Sequence, residues 1–129
     1  MAHLVVLAED DDDLGQLIKL KLEKADIRVI WKKNGNDALS AIRSQNPTAV
    51  LLDVDMPGIN GLDLLKRIKL ARDMQHIPVI MISALGYEAY SSDAMRHGAS
   101  DFIVKPFQPA DMLARVQKVL GAIPAPASP

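Results

Sequence analysis

Short apolar runs alternate with amphipathic segments along nearly the whole chain. Leu4-Val5-Val6-Leu7-Ala8 contains no polar residue, which predicts a strand buried on both faces. Leu14, Leu17, Ile18, Leu22 and Ala25 then recur at helical spacing. Asp26 to Trp31 reads as a second strand, with Ile27, Val29 and Trp31 alternating against Arg28. Asn34-Gly35 marks a turn before a short helix over Asp37 to Arg43, with Ala38, Leu39 and Ile42 facing inward. Ala49-Val50-Leu51-Leu52 is a third strand ending in Asp53, and Met56 to Gly61 is a loop. A helix follows with Leu62, Leu65 and Ile68 on one side. Pro78 introduces the strand Val79-Ile80-Met81-Ile82, ending in Ser83. Residues 87 to 97 predict a helix whose apolar stripe is weak. Asp101 to Lys105 is a fifth strand, and Met112, Leu113, Val116, Val119 and Leu120 mark a final helix that tolerates Pro109 in its first turn. Met74, Met81, Met95 and Met112 read as packing residues.

Five strand–helix pairs in alternation predict an α/β fold, a (βα)5 parallel sheet covered on both faces with right-handed crossovers. With 129 residues there is enough chain for one core and too little for two. Residues 1–120 are expected to form that domain. Residues 121–129, GAIPAPASP, lack periodicity and read as a Pro/Ala-rich tail or severed linker. The net charge of −1 gives no pull toward nucleic acid or an anionic membrane. The apolar runs are strand-sized, too short to span a bilayer. The N-terminal one runs straight into acids, unlike a secretory signal. The absence of cysteine excludes disulfides and thiol catalysis and fits a reducing, cytoplasmic setting.

The polar residues add chemistry to this frame. An open parallel sheet binds ligands outside the carboxyl ends of its strands. There the first strand ends in Glu9-Asp10, the third in Asp53, the fourth in Ser83 and the fifth in Lys105. The second ends in Trp31-Lys32-Lys33 and adds no evident functional group. Glu9 opens a run of five acids, Glu9 to Asp13. Two carboxylates about 4 Å apart repel by roughly 1 kcal/mol even in water, so such crowding calls for a helix start or a bound cation.

Several chemistries drop out. There is no Gly-x-Ser-x-Gly elbow, and His3, His76 and His97 are scattered away from ligand spacing. Acids after the first strand would repel the phosphate of a flavin. Carboxylates with water are what Mg2+ prefers, and Mg2+ binds phosphate oxygens in turn. Lys105 offers a further positive charge and Ser83 a hydroxyl. The set Glu9, Asp10, Asp53, Ser83 and Lys105 therefore points to a phosphoryl site, with a central carboxylate able to act as nucleophile.

The stretches VVLAEDDDD, VLLDVDMPGINGLDLLKRIK, PVIMISA and GASDFIVKPF, in this order, resemble the response-regulator receiver domains of two-component phosphorelay signalling, over nearly all of residues 3–120. The resemblance implies a flavodoxin-like, doubly wound five-stranded sheet in the order 2-1-3-4-5. It implies that Asp53 accepts a phosphoryl group from a partner histidine kinase or histidine phosphotransfer protein. Glu9 and Asp10 would hold Mg2+ together with Asp53 and the backbone carbonyl of Asp55. Ser83 and Lys105 would contact the phosphoryl group, Phe102 would be the aromatic switch residue, and Lys105-Pro106 would be cis. Phosphorylation would then alter the surface of the fourth helix, fifth strand and fifth helix, toward an unknown output domain, a downstream protein or a phosphorylation-dependent homodimer. Neither nucleic acid nor membrane would be contacted directly. Asp55 and Leu85 occupy positions that tune phosphoryl lifetime in this family. Asp11, Asp12 and Asp13 match no ligand role and suit the start of the first helix.

Two other function classes compete. Asp53-Val54-Asp55 is also the Asp-x-Asp of haloacid-dehalogenase-like phosphatases, but their motif ends the first strand, and no later acid pair or cap follows here. A receiver-like scaffold that binds partners without phosphorylation would have no need of all five polar residues. The expectation is a domain that catalyses its own phosphorylation and dephosphorylation and is not a turnover enzyme.

Overall fold

The computed structural model describes residues 3–84 and 87–121, the side chains of 87–90 excepted. Among the described residues ten elements alternate: β1 Leu4–Ala8, α1 Asp12–Glu23, β2 Arg28–Lys32, α2 Gly35–Gln45, β3 Ala49–Asp53, α3 Gly61–Leu70, β4 Val79–Ser83, α4 Tyr87–Arg96, β5 Asp101–Val104 and α5 Pro109–Gly121. The strands form one parallel sheet in the order β2-β1-β3-β4-β5. The strand order reverses between β1 and β3, which are hydrogen-bonded neighbours, and this opens the crevice where such sheets bind ligands.

Period-two alternation divides each strand between two cores. Val6, Ala8, Val50, Leu52, Val79, Met81 and Phe102 pack with residues of α2, α3 and α4. Val5, Leu7, Ala49, Leu51, Ile80, Ile82 and Ile103 face the opposite way, onto Ile18 and Leu22 of α1 and Met112, Val116 and Leu120 of α5. Every residue of β3 and β4 is buried, as befits central strands covered on both faces.

The helix starts are set by side-chain caps. Asp11 accepts a hydrogen bond from the Leu14 N–H at 2.9 Å, Asn34 from Asp37 at 2.8 Å and Asn60 from Asp63 at 2.9 Å. Asn34-Gly35 is thus the cap and first residue of α2, not a free turn, and the helix is longer than its apolar stripe. The second strand begins at Arg28 rather than Asp26. Asp26 has φ 62° and belongs to the turn that leaves α1. Leu17 of α1 and Met95 of α4 are 44% and 48% exposed, so neither is the packing residue that its type suggests. Among the described residues, no helix is long and apolar enough to cross a membrane. Residues 122–129 and Leu85 lie outside the described residues.

Candidate functional site

At the carboxyl ends of β1 and β3 the ladder delivers acids with nowhere apolar to go. Glu9 follows β1 directly, and its N–H still donates to the Lys32 carbonyl oxygen at 3.0 Å, so the residue is fixed as though the strand continued. Its side chain is fully buried. Asp53, the last residue of β3, is also buried, whereas Asp10 is exposed at the rim. One carboxylate oxygen from each of Glu9, Asp10 and Asp53 lies within 4.8 Å of the others, a separation that one cation can bridge.

Lys105 closes the cluster from β5. Its Nζ donates to Asp53 Oδ2 at 3.0 Å and stands 3.0 Å from Glu9 Oε1. The strand pairing carries it there: the Lys105 N–H donates to the Ser83 carbonyl oxygen at 2.8 Å, one step past the β4–β5 register. Ser83 ends β4 and is fully buried. The Lys105–Pro106 peptide is cis. Asp53 Oδ1 accepts the N–H of Asp55 at 3.0 Å, which folds the following loop over the acid. Phe102 is buried in the core on the α2–α4 side of the sheet.

The electrostatics follow from this crowding. Burial, then the neighbouring Asp53 carboxylate, push the Glu9 carboxyl up from 4.5 to about 7. Burial alone would lower the Lys105 ammonium, but its hydrogen bond to Asp53 and its ion pair with Glu9 outweigh that, and its pKa is raised. Glu9 Oε2 accepts the Asp11 N–H at 3.1 Å, yet Oε1 meets Lys105 only as an ion pair, off hydrogen-bond geometry. A buried carboxylate oxygen without a hydrogen bond, beside two more carboxylates, is the donor set a hard divalent cation takes. The residues present fit Mg2+.

The structure therefore brings together Glu9, Asp10, Asp53 and Lys105, with Ser83 buried at the adjoining strand end and Asp55 beside Asp53. Two contributors were not evident from residue type. Trp31, at the end of β2, donates its indole N–H to the Glu9 carbonyl oxygen at 2.8 Å, so the second strand does contribute to the site. Gly61, which sequence reading treats as turn chemistry, has the Asp53 carbonyl oxygen 2.2 Å from where a Cβ would stand. The Gly61 N–H also donates to the Val54 carbonyl oxygen at 2.9 Å. A glycine eight residues after the central acid and a tryptophan at a strand end were the available signals, but neither names its contact.

Comparison with known proteins agrees with this geometry. The family model for the response regulator receiver domain matches residues 5–117. The transcriptional regulatory protein SrrA of Staphylococcus aureus is 29% identical over 120 residues, 93% of this chain and 48% of SrrA. The chain thus spans about half the length of the curated relatives it matches. The BeF3-activated N-terminal receiver domain of Klebsiella pneumoniae RstA superposes with a TM-score of 0.83 at 32% identity, covering 91% of this chain and 97% of that one. The receiver domain of the Francisella response regulator 1452 gives 0.85 at 30%, covering 93% and 98%.

Proposed function

The chain belongs to the response regulator receiver domain family, and from that premise we propose that it is a phosphoacceptor signalling domain whose acceptor is Asp53. The observation that carries this reading is the buried Asp53 carboxylate, held at 3.0 Å by Lys105 within a cluster of three acids. Glu9, Asp10, Asp53 and the Asp55 carbonyl would hold Mg2+. When bound, the cation offsets the negative charge of the phosphoryl oxygens.

The chain's own residues supply the rest. A carboxylate oxygen of Asp53 attacks phosphorus, and the bond from phosphorus to the donor histidine nitrogen of a histidine kinase or phosphotransfer protein breaks. The leaving imidazole keeps the electron pair and takes a proton. Lys105 supplies positive charge to the transferring oxygens, and the Ser83 hydroxyl donates to one of them. Loss of the group is the same site's hydrolysis of the acyl phosphate, with Asp55 at its edge to screen water. This is self-modification without turnover of an external substrate.

Movement of Ser83 toward the new oxygens vacates space into which the buried Phe102 ring can shift, and this reshapes the surface of α4, β5 and α5. That surface is what an output domain, a downstream protein or a second copy would read. Residues 1–120 form this unit in our reading, residues 121–129 are a tail or linker, and the setting is cytoplasmic.

The test is intact mass after incubation with MgCl2 and a small acyl-phosphate donor. Wild type gains one phosphoryl group, while Asp53→Asn and wild type in EDTA gain none. An unmodified wild type, with a candidate kinase also present, shifts the reading to a phosphorylation-independent scaffold. Repeated turnover of a generic phosphomonoester shifts it to a phosphatase.

A further inference from the structure

Two acids of the site, Glu9 and Asp10, hang on the loop between β1 and α1, and the structure ties that loop to β2 through one residue at two points. Both main-chain polar groups of Glu9 are engaged there: its N–H with the Lys32 carbonyl oxygen at 3.0 Å, its carbonyl oxygen with the Trp31 indole N–H at 2.8 Å. A peptide unit is planar, so fixing the Glu9 oxygen also fixes the Asp10 nitrogen and the direction in which Asp10 leaves the chain. The indole itself is clamped. A Cβ at Gly15 of α1 would stand 2.0 Å from its ring, so the ring lies directly on the Gly15 backbone. The Lys33 ammonium sits 5.5 Å from the ring centroid on the way to its ion pair with Asp12. Packing alone would need an apolar ring at this place, not a donor aimed at the loop that carries Glu9 and Asp10.

We propose that Trp31 is a positioning residue for the cation site: its indole N–H sets the Glu9–Asp10 peptide so that both carboxylates converge with Asp53. The proposal rests on the reading that these acids hold Mg2+. It also accounts for two more members of the acidic run. Asp12 holds the Lys33 that covers the ring, and Asp11 both caps α1 and holds Glu9 Oε2.

The test uses the whole chain and Mn2+ as probe, with free Mn2+ read by electron paramagnetic resonance and MgCl2 as competitor. Trp31→Phe keeps a ring and removes the donor. We expect its Mn2+ Kd to rise about tenfold, at the low end of what losing a partner of a ligating residue costs. Urea unfolding of both proteins in EDTA separates this from a general loss of fold. As the only tryptophan, Trp31 also gives a single indole N–H resonance in the 15N-labelled wild type. That peak should shift with MgCl2 and saturate with the Kd found by competition, a readout that needs no variant. Wild type that binds no metal removes the cation reading and this proposal together. Wild type that binds, with Trp31→Phe binding equally or the indole resonance unmoved, leaves the cation reading intact and overturns the role of Trp31.

Discussion

Glu9 is an ionisable residue with no exposure to solvent. Its carboxyl, raised to about 7 by burial and by Asp53, binds a proton in the native metal-free protein that the unfolded chain has already released. The sign follows. This contribution to stability is fully present below the ordinary glutamate range near 4.5 and is lost as pH rises through about 7. At ~1.4 kcal/mol per pKa unit it amounts to a few kcal/mol at most. In EDTA, the urea midpoint of the wild type should therefore fall from about pH 5 to about pH 8 relative to Glu9→Gln, whose amide cannot ionise. Parallel midpoints for the two proteins across that range would show that Glu9 does not carry the proton. Added Mg2+ competes with the proton for the same oxygens, so its affinity should rise over the same window.

At the scale of elements, the β3–α3 junction is closed against backbone at Gly61. Alanine is the better helix former by ~1 kcal/mol, so Gly61→Ala would stabilise an isolated helix. Here the new methyl would meet the Asp53 carbonyl oxygen at 2.2 Å and the Val54 Cα at 2.8 Å, both backbone atoms that cannot swing away. We expect a net loss of about 1–3 kcal/mol in denaturant unfolding, the usual cost of overpacking, together with slower phosphoryl uptake at the displaced Asp53. A variant as stable as wild type would mean the junction yields freely. The opposite case is α4. Of its described side chains, Ser91 and Ala94 are buried, and Met95 is half exposed. So small a buried face over residues 91–96 predicts that the amides of this half of α4 exchange with solvent faster than those of α1 and α5, measured by hydrogen exchange in EDTA. Equal protection in the three helices would remove the physical basis for treating α4 as the responsive element.

For the whole molecule, the alternation of apolar runs with amphipathic segments was enough to place ten elements, and the strand-end acids, Ser83 and Lys105 stood out because burial of charge at a strand end needs a reason. The order of the strands came from resemblance rather than periodicity, because a buried parallel strand reads the same at any place in the sheet. Helix ends shifted where a polar cap lies outside the apolar stripe, as with Asn34 and Gly35. Leu17 and Met95 misled because residue type reports preference, not which way a turn of helix faces. Trp31 and Gly61 stayed silent for a related reason: their contribution lies in contacts to the backbone of another strand or loop, and such contacts leave no mark on composition or spacing. As a unit the sheet brings Glu9, Asp53, Ser83 and Lys105, at or just past the ends of β1, β3, β4 and β5, together at one end, and in our proposal a charge change on Asp53 acts on all of them.

That claim is tested most directly at the acceptor atom. After incubation with MgCl2 and an acyl-phosphate donor, borohydride reduces a phosphorylated aspartate to homoserine, and trypsin releases the peptide Ser44–Lys66, which contains Asp53, Asp55 and Asp63. The account predicts homoserine at position 53 and at neither other acid of that peptide, and none in protein treated in EDTA. Homoserine at Asp55 or Asp63 with Asp53 intact would contradict it.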